Sequence, residues 1–393
     1  VTPAARVQAA IEILDSIIEA ARSKGPPADR LVAQWFKDHR FAGSKDKRAI
    51  RELVYDAIRA CGPIPSSGRA AMLGLAEEQD DLRELFSGEG YGPAAIVEDE
   101  SVAAGGIAPE WLENRLIASG IGEEEAQSLL SRAPLDVRVN RLKLPDGTGE
   151  FPEAGDPLAL PGALRFPSGT KVTEWEAYEQ GLIEVQDLGS QIACSAVGAA
   201  PGDTVIDLCA GAGGKTIALA AALANEGTLV AADTDKRRLS QLEPRAERAG
   251  AQIAQIVLLD PGSEAEALAE WEGKADHVLI DAPCSGTGTW RRNPEARWRL
   301  TPAELGRLAA LQARLLGIAA PLVKPGGHLT YVTCSLLDEE GKNQIARFIA
   351  DNPGWISDRS ELPLGTPHGD GLRLTPSTDG TDGFFIARLG KPC

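Results

Sequence analysis

The sequence predicts a multidomain chain with an all-α domain over residues 1–133, a small α+β stretch over 134–190 and a Rossmann-like α/β domain over 191–393. Three observations predict this. At 393 residues the chain is too long for one ordinary hydrophobic core. Up to about residue 130 its apolar residues recur at helical spacing. From about residue 186 onward, strand-like runs alternate with turns and amphipathic helices, the pattern of a doubly wound, mainly parallel sheet.

The elements follow in order. Val7, Ala10, Ile11, Leu14, Ile17, Ile18 and Ala21 lie on one face of a helix over 4–23. Residues 30–36 and 47–60 repeat the pattern, with Phe41-Ala42-Gly43-Ser44 as the break between them. Helical spacing resumes around 70–86 and 108–132, and Tyr91-Gly92-Pro93 through Gly105-Gly106 reads as a loop. Asp136-Val137-Arg138-Val139-Asn140 alternates like a strand, 145–169 is rich in Pro and Gly, and Leu182–Asp187 is a second strand candidate. The later strands are expected at 204–208, 228–232, 253–258, 276–280, 328–332 and 383–389. The helices between them are expected at 214–224, 235–249, 263–270, 302–320 and 339–350. No internal repeat is present.

Composition narrows the class. With 43% hydrophobic and 25% charged residues the chain has an ordinary soluble balance, and no apolar run reaches the length of a bilayer span. The N-terminal residues run into an amphipathic pattern, so no signal peptide is expected. Six scattered cysteines with no CxxC pair argue against a disulfide framework and against a metal site, and free thiols imply the cytoplasm. The net charge of −17 gives no support for a nucleic-acid partner. Its distribution is uneven, however: residues 1–70 carry 12 Lys/Arg against 8 Asp/Glu, whereas 71–100 hold nine acids and one Arg. A second basic cluster, Arg291, Arg292, Arg297 and Arg299, is interleaved with Trp290 and Trp298. It reads either as a solvated surface or as an RNA contact whose removal flattens salt dependence.

A glycine-rich turn, Asp207-Leu208-Cys209-Ala210-Gly211-Ala212-Gly213-Gly214-Lys215-Thr216, follows the apolar run Thr204-Val205-Ile206. It is not a Walker phosphate loop, because Cys209 stands where that motif needs Gly. The dinucleotide fingerprint fails as well, since Thr216 replaces its last Gly. What remains is a strand ending in an acid, then a turn whose glycines let backbone approach a ligand. Asp233 ends the next strand, placed to accept from ribose hydroxyls, and Asp260 ends the one after, near an adenine edge. One such acid could merely cap a helix; three at successive strand ends point to a nucleoside. A ribose site without a diphosphate cradle suits S-adenosylmethionine better than NAD or ATP.

Two cysteines complete the pattern. Cys284 lies in Asp281-Ala282-Pro283-Cys284-Ser285-Gly286-Thr287-Gly288, and Cys334 in Thr333-Cys334-Ser335, each after an apolar strand. Carbon-5 of a pyrimidine is too weak a nucleophile to take a methyl group from a sulfonium. A thiolate adding at carbon-6 pushes electron density onto carbon-5, and elimination later frees the thiol. Such chemistry needs a partly ionised thiol, a contact at ring N3 and a base. Asp281 suits the N3 contact. Cys61 and Cys194 read as small buried hydrophobes, and the terminal Cys393 is uninformative.

On these segments, with Val230–Asp235, Arg291-Arg292-Asn293-Pro294 and Asp382-Gly383-Phe384-Phe385, the chain resembles the Sun/Fmu (RsmB-type) family of RNA 5-methylcytosine methyltransferases over nearly its whole length. Val185-Gln186-Asp187 with Ser190-Gln191 resembles that family's lead-in to its catalytic domain. The resemblance implies Cys334 as nucleophile, Cys284 as the group assisting elimination, and Asp281 at cytosine N3 beside the cofactor. It implies that Cys209, Ala210, Gly211, Ala212, Gly213, Gly214 and Lys215, with Asp233, Asp260 and Asp281, hold S-adenosylmethionine. Ala212 departs from the family's usual Pro. The segment Arg40–Arg48 and the helix after it resemble a NusB-like RNA-binding domain, and 134–190 a ferredoxin-like subdomain. The implied function is cytosine-C5 methylation of RNA, with 16S ribosomal RNA as the expected partner and a monomer as the expected state. The alternatives are a tRNA methyltransferase and a non-catalytic RNA-binding assembly factor.

Overall fold

The first helix, α1 (Pro3–Ser23), starts where Thr2 accepts from the Ala5 N–H at 3.3 Å and Pro3 takes the first helical position. In the computed structural model, which describes residues 1–40, 42–358 and 361–393, α1 is followed by α2 (Ala28–Asp38), α3 (Ser44–Ala60) and α4 (Gly68–Ala76). Shorter helices occupy Asp80–Arg83, Glu110–Ala118 and Glu123–Ser128, and 84–109 carries no helix or strand. Val7, Ile11, Leu14 and Ile18 of α1 meet Val32 and Phe36 of α2, Ile50 and Val54 of α3, and Met72 of α4 in one core. In the predicted break, Phe41 lies outside the described residues.

These helices form one of two compact units, Val1–Ser131 together with Thr289–Thr301. The inclusion of 289–301 departs from the sequence reading, and the Trp/Arg cluster explains it. Arg297 is fully buried, and its Nη2 donates to the carbonyls of Ile58 at 2.6 Å and Cys61 at 2.7 Å, at the C-terminal end of α3. Trp298 Nε1 donates to Gly62 O at 3.2 Å. Arg299 reaches Gly25 O at 2.8 Å and Pro26 O at 2.7 Å, just past α1. Glu295 accepts from Ala28 N at 3.0 Å, at the start of α2. Helix ends leave carbonyls and N–H groups without intrahelical partners, and here guanidinium and carboxylate groups supply them. The segment read as a solvated or RNA-facing surface is therefore mostly an internal plug: Trp290, Arg291, Arg297 and Trp298 are all buried. Charge periodicity could not reveal this, because the carbonyls being capped lie more than 200 residues away. Replacing Arg297 by Ala is expected to cost about 2–4 kcal/mol of stability, from orphaned carbonyls plus a cavity. Urea unfolding checks this, and a midpoint equal to wild type would contradict it.

The second unit, Arg132–Gly288 with Pro302–Cys393, holds two sheets. The smaller comprises β1 (Leu135–Val139), β2 (Asp156–Pro157), β3 (Ala163–Phe166) and β4 (Ile183–Val185), in the order 2-3-1-4 with all neighbours antiparallel. Val137 and Val139 pack on Phe166, Val172 and Trp175. The alternate residues of β1 and the one after it are polar. Asp136 accepts both arms of Arg165 at 2.7 and 2.8 Å, and the Asn140 amide donates to Gly181 O and Ala249 O. The β1–β2 connection has no helix; that between β3 and β4 carries a 3-10 turn (Val172–Glu174) and a one-turn helix (Glu176–Glu179).

The larger sheet comprises β5 (Thr204–Asp207), β6 (Thr228–Asp233), β7 (Gln255–Leu258), β8 (Ala275–Asp281), β9 (Val323–Thr333), β10 (Ile356–Ser357), β11 (Thr366–His368), β12 (Gly371–Leu374) and β13 (Phe384–Gly390). Its order is 7-6-5-8-9-13-12-11, with β10 pairing β13. Strands β5 to β9 are mutually parallel and the rest antiparallel. Strand order reverses between β5 and β8, so a crevice for ligands opens beyond their carboxyl ends. The helix expected over 235–249 is two, Lys236–Leu239 and Leu242–Ala249. Pro244 is tolerated in the first turn of the second but would break one continuous helix.

At the opposite ends of β8 and β9, His277 and His328 are register partners with rings 5.6 Å apart. Burial lowers both pKa values, as does the Arg388 cation, while Asp203 and Asp358 pull the other way. The unfolded chain therefore binds more protons below the ordinary value of about 6.5, so stability is full above that pH and declines as pH falls below it. Thermal unfolding against pH should show the decline, and a His277→Phe variant should lose less. Identical profiles would contradict the assignment.

Candidate active site

The carboxyl ends of β5, β6, β8 and β9 bring most of the predicted residues together. After β5 the chain makes the glycine turn. Gly213 N donates to Ala210 O at 2.9 Å, and Ala210 N to Ala232 O at 3.0 Å. Gly211 and Gly213 take φ of +55° and +87°, and a Cβ at Gly213 would stand 2.0 Å from Leu242 Cδ1. Only glycine fits there. Ala212, in place of the family's Pro, offers its carbonyl to Arg245 Nη1 at 2.9 Å. Lys215 and Thr216 lie in the first turn of helix Gly214–Ala222.

Thr216 Oγ1 donates to Asp207 Oδ2 at 2.7 Å, while Asp207 Oδ1 is buried with no hydrogen-bond partner among the described residues. Burial, offset in part by the Thr216 hydrogen bond, lifts Asp207 to a pKa of about 7. Asp233 is nine-tenths buried and already organises the turn, accepting from Gly211 N and Asp235 N, each at 2.7 Å. Each of its oxygens keeps a second lone pair for a ligand hydroxyl. Asp260 stands exposed just past β7, where Leu259 N donates to Asp233 O. Burial and the neighbouring carboxylates push the Cys209 thiol well above the ordinary cysteine range, which disfavours its thiolate.

The two candidate thiols meet. Cys284 Sγ and Cys334 Sγ are 3.4 Å apart, both half-buried. Their loops are tied by Gly288 N to Cys334 O at 3.0 Å and Ala282 N to Val332 O at 2.9 Å. A third strand closes the clamp. Gly383 N donates to Gly288 O at 2.8 Å; a Cβ on Gly288 would meet Gly383 O at 2.1 Å and one on Gly383 would meet Gly288 Cα at 2.7 Å, so both glycines are packing requirements. The hydrogen bond between the sulfurs, with burial and the nearby Glu340 charge, raises Cys284 well above the cysteine range and keeps it a thiol.

Alongside, Asp281 Oδ2 pairs with Lys215 Nζ at 2.7 Å, and the ammonium lies 5.8 Å from the Phe384 ring centre. Burial alone would lower Lys215, but Asp281 outweighs it and holds the amine protonated. Sequence reasoning placed Lys215 in the cofactor turn and Asp281 at the base without seeing that they pair. It also missed Glu340. This buried carboxylate accepts from Ser285 N and Gln312 Nε2, each at 2.9 Å, and from Ser285 Oγ, fixing the Pro-Cys loop to the segment after Cys334. An acid six residues past a cysteine carries no signal by spacing alone. Among the described residues no cluster of three or more His, Cys, Asp or Glu could hold a metal ion, and no helix is long and apolar enough to cross a membrane.

The profile of the 16S rRNA methyltransferase RsmB/F family matches residues 195–390, from the helix before β5 to the end of β13. Over 314 residues the chain is 34% identical to a ribosomal RNA small subunit methyltransferase B from Citrobacter koseri, covering 76% of this chain and 70% of that protein. The chain belongs to the RsmB/F methyltransferase family. A probable small subunit methyltransferase B from Synechocystis is also 34% identical, covering 88% of this chain and 83% of that one. The crystal structure of PH0851 superposes with a TM-score of 0.75 at 26% identity, covering 100% of this chain and 99% of that one. As a member of this family the chain is an S-adenosylmethionine-dependent methyltransferase. The site suits that cofactor: a strained glycine turn, an acid at the end of β6 with free lone pairs, and a buried, unpartnered carboxylate oxygen on Asp207.

Proposed function

We propose that this RsmB/F methyltransferase methylates carbon-5 of a cytosine in 16S ribosomal RNA through a transient bond between Cys334 Sγ and carbon-6. The observation that carries this reading is the 3.4 Å approach of two strand-end thiols beside the Lys215–Asp281 pair. Bound S-adenosylmethionine supplies an electrophilic methyl group. Cys209 through Lys215, Asp233 and Asp260 hold it, and Asp281 borders it. Cys334 adds as thiolate to carbon-6, and the ring electrons move to carbon-5 while Asp281, carrying a proton when the base is bound, donates it to N3. Once carbon-5 is alkylated its proton passes to solvent water acting as the base, the C–H electrons reform the C5–C6 double bond and Cys334 departs with the C–S electron pair. Cys284, kept a thiol by its environment, assists that release. The resemblance to the RNA 5-methylcytosine methyltransferases makes the cysteine of Thr333-Cys334-Ser335 the nucleophile; DNA cytosine methyltransferases instead use the Pro-Cys thiol.

The helical unit is the NusB-like RNA-binding part in this reading, and the four-stranded sheet a reduced ferredoxin-like subdomain. Ribosomal RNA is favoured over tRNA because the relatives named above are small-subunit rRNA methyltransferases. Bisulfite sequencing of total RNA from cells with and without the protein tests this. A 16S cytosine protected only when the protein is present is the expected result. Protection confined to tRNA, or none, would overturn it.

A further inference from the structure

The polar face of the small sheet leaves one guanidinium without a carboxylate. Arg138 on β1 stands opposite Glu184 on β4, a register in which opposite charges usually pair. Glu184 is committed elsewhere: Oε2 accepts from Arg245 at 3.0 Å and Oε1 from Arg248 at 2.5 Å. Arg138 Nε donates to the neutral Gln186 Oε1 at 2.8 Å. Its Nη2 is buried with no hydrogen-bond partner among the described residues. A buried charged donor without an acceptor is a standing cost that a bound anion would remove.

Its surroundings say which anion. Arg245, which occupies Glu184, also donates to the Ala212 carbonyl of the glycine turn, so this face of the sheet borders the cofactor turn. Gln186 continues to Cys194 Sγ at 3.7 Å, and the Cys194 thiol lies within electrostatic reach of both Arg138 and Lys215. S-adenosylmethionine carries one oxyanion, the carboxylate of its amino-acid end. Around the turn, Asp207 and Asp281 are acids that would repel it, and Lys215 is engaged by Asp281. Arg238 also lies against Gly211 of the turn but is exposed to solvent; Arg138 is the cation whose guanidinium holds a buried nitrogen without a partner among the described residues.

We propose that Arg138 binds the α-carboxylate of S-adenosylmethionine and so anchors the amino-acid end of the cofactor. Asp207 Oδ1, buried and unpartnered, suits the α-ammonium at the same end. The inference rests on the cofactor placement above and is independent of which base is methylated.

Calorimetric binding of two ligands to the full chain tests it: S-adenosylmethionine, and its decarboxylated form, which keeps the sulfonium and the amine. Arg138→Gln should weaken S-adenosylmethionine about 10- to 100-fold while leaving the decarboxylated ligand within about twofold of wild type. Arg138→Lys should fall between. Retained binding of the decarboxylated ligand also reports a folded pocket. Equal losses for both ligands would overturn the proposal, because Arg138 would then support the turn and not the carboxylate. Unchanged S-adenosylmethionine binding with weaker, less salt-dependent RNA binding would overturn it too, reassigning Arg138 to a phosphate. If wild type binds the cofactor but methylates a different atom, the anchor stands and only the proposed reaction fails.

Discussion

Cys334→Ala is expected to lower methyl transfer more than about a thousandfold, the scale of removing a covalent nucleophile, while S-adenosylmethionine binding stays within about threefold. The separation follows from the geometry. The loop around Cys334 is held by its backbone, with Gly288 N on Cys334 O, and by Ser335 Oγ, which accepts from Leu337 N at 3.2 Å and lies 3.1 Å from Thr287 Oγ1. None of these contacts involves the sulfur. Because Cys334 is only half-buried, losing Sγ leaves little cavity. The cofactor turn is built from other residues, through Ala210 N, Gly211 N and Gly213 N. Single-turnover methylation with a parallel binding titration checks the pair of outcomes, and normal turnover by the variant would refute the nucleophile assignment.

Cys284→Ala is expected to do the opposite to the intermediate. With Cys334 intact the ring is still attacked and alkylated, but the thiol 3.4 Å from the departing sulfur is gone. Turnover should fall and a protein–RNA species should accumulate that survives denaturing electrophoresis, and it should require the cofactor. The double variant lacking both sulfurs should show no such band. If the single variant shows none either, the release role is wrong.

The strand pattern of the α/β domain was readable because buried parallel strands are short continuous apolar runs, such as Thr204-Val205-Ile206 and His277-Val278-Leu279-Ile280, bounded by glycine turns. The convergence of Asp207, Asp233, Asp281 and Cys334 followed from the fold rule that strand ends share one edge. The contacts that set their chemistry were not readable. The Lys215–Asp281 pair joins residues 66 positions apart, and Glu340 reaches Ser285 across 55; neither spacing has a period. The Trp/Arg segment misled for a physical reason. Arginines that cap helix carbonyls and arginines that bind phosphate look alike in sequence, since both need the same donors. In the sequence Arg138 reads only as a strand residue, because its want of a partner appears only once Glu184 is seen to be occupied.

The most direct measurement uses RNA whose target cytosine carries fluorine at carbon-5, so that no proton can leave after alkylation. Wild-type protein incubated with that RNA and S-adenosylmethionine is digested with nuclease and trypsin and read by mass spectrometry. The nucleotide mass is expected on the peptide carrying Cys334, Leu315–Lys342, since trypsin does not cut before Pro325. Attachment to the Cys284 peptide, or a chain with no nucleotide attached, would contradict the account.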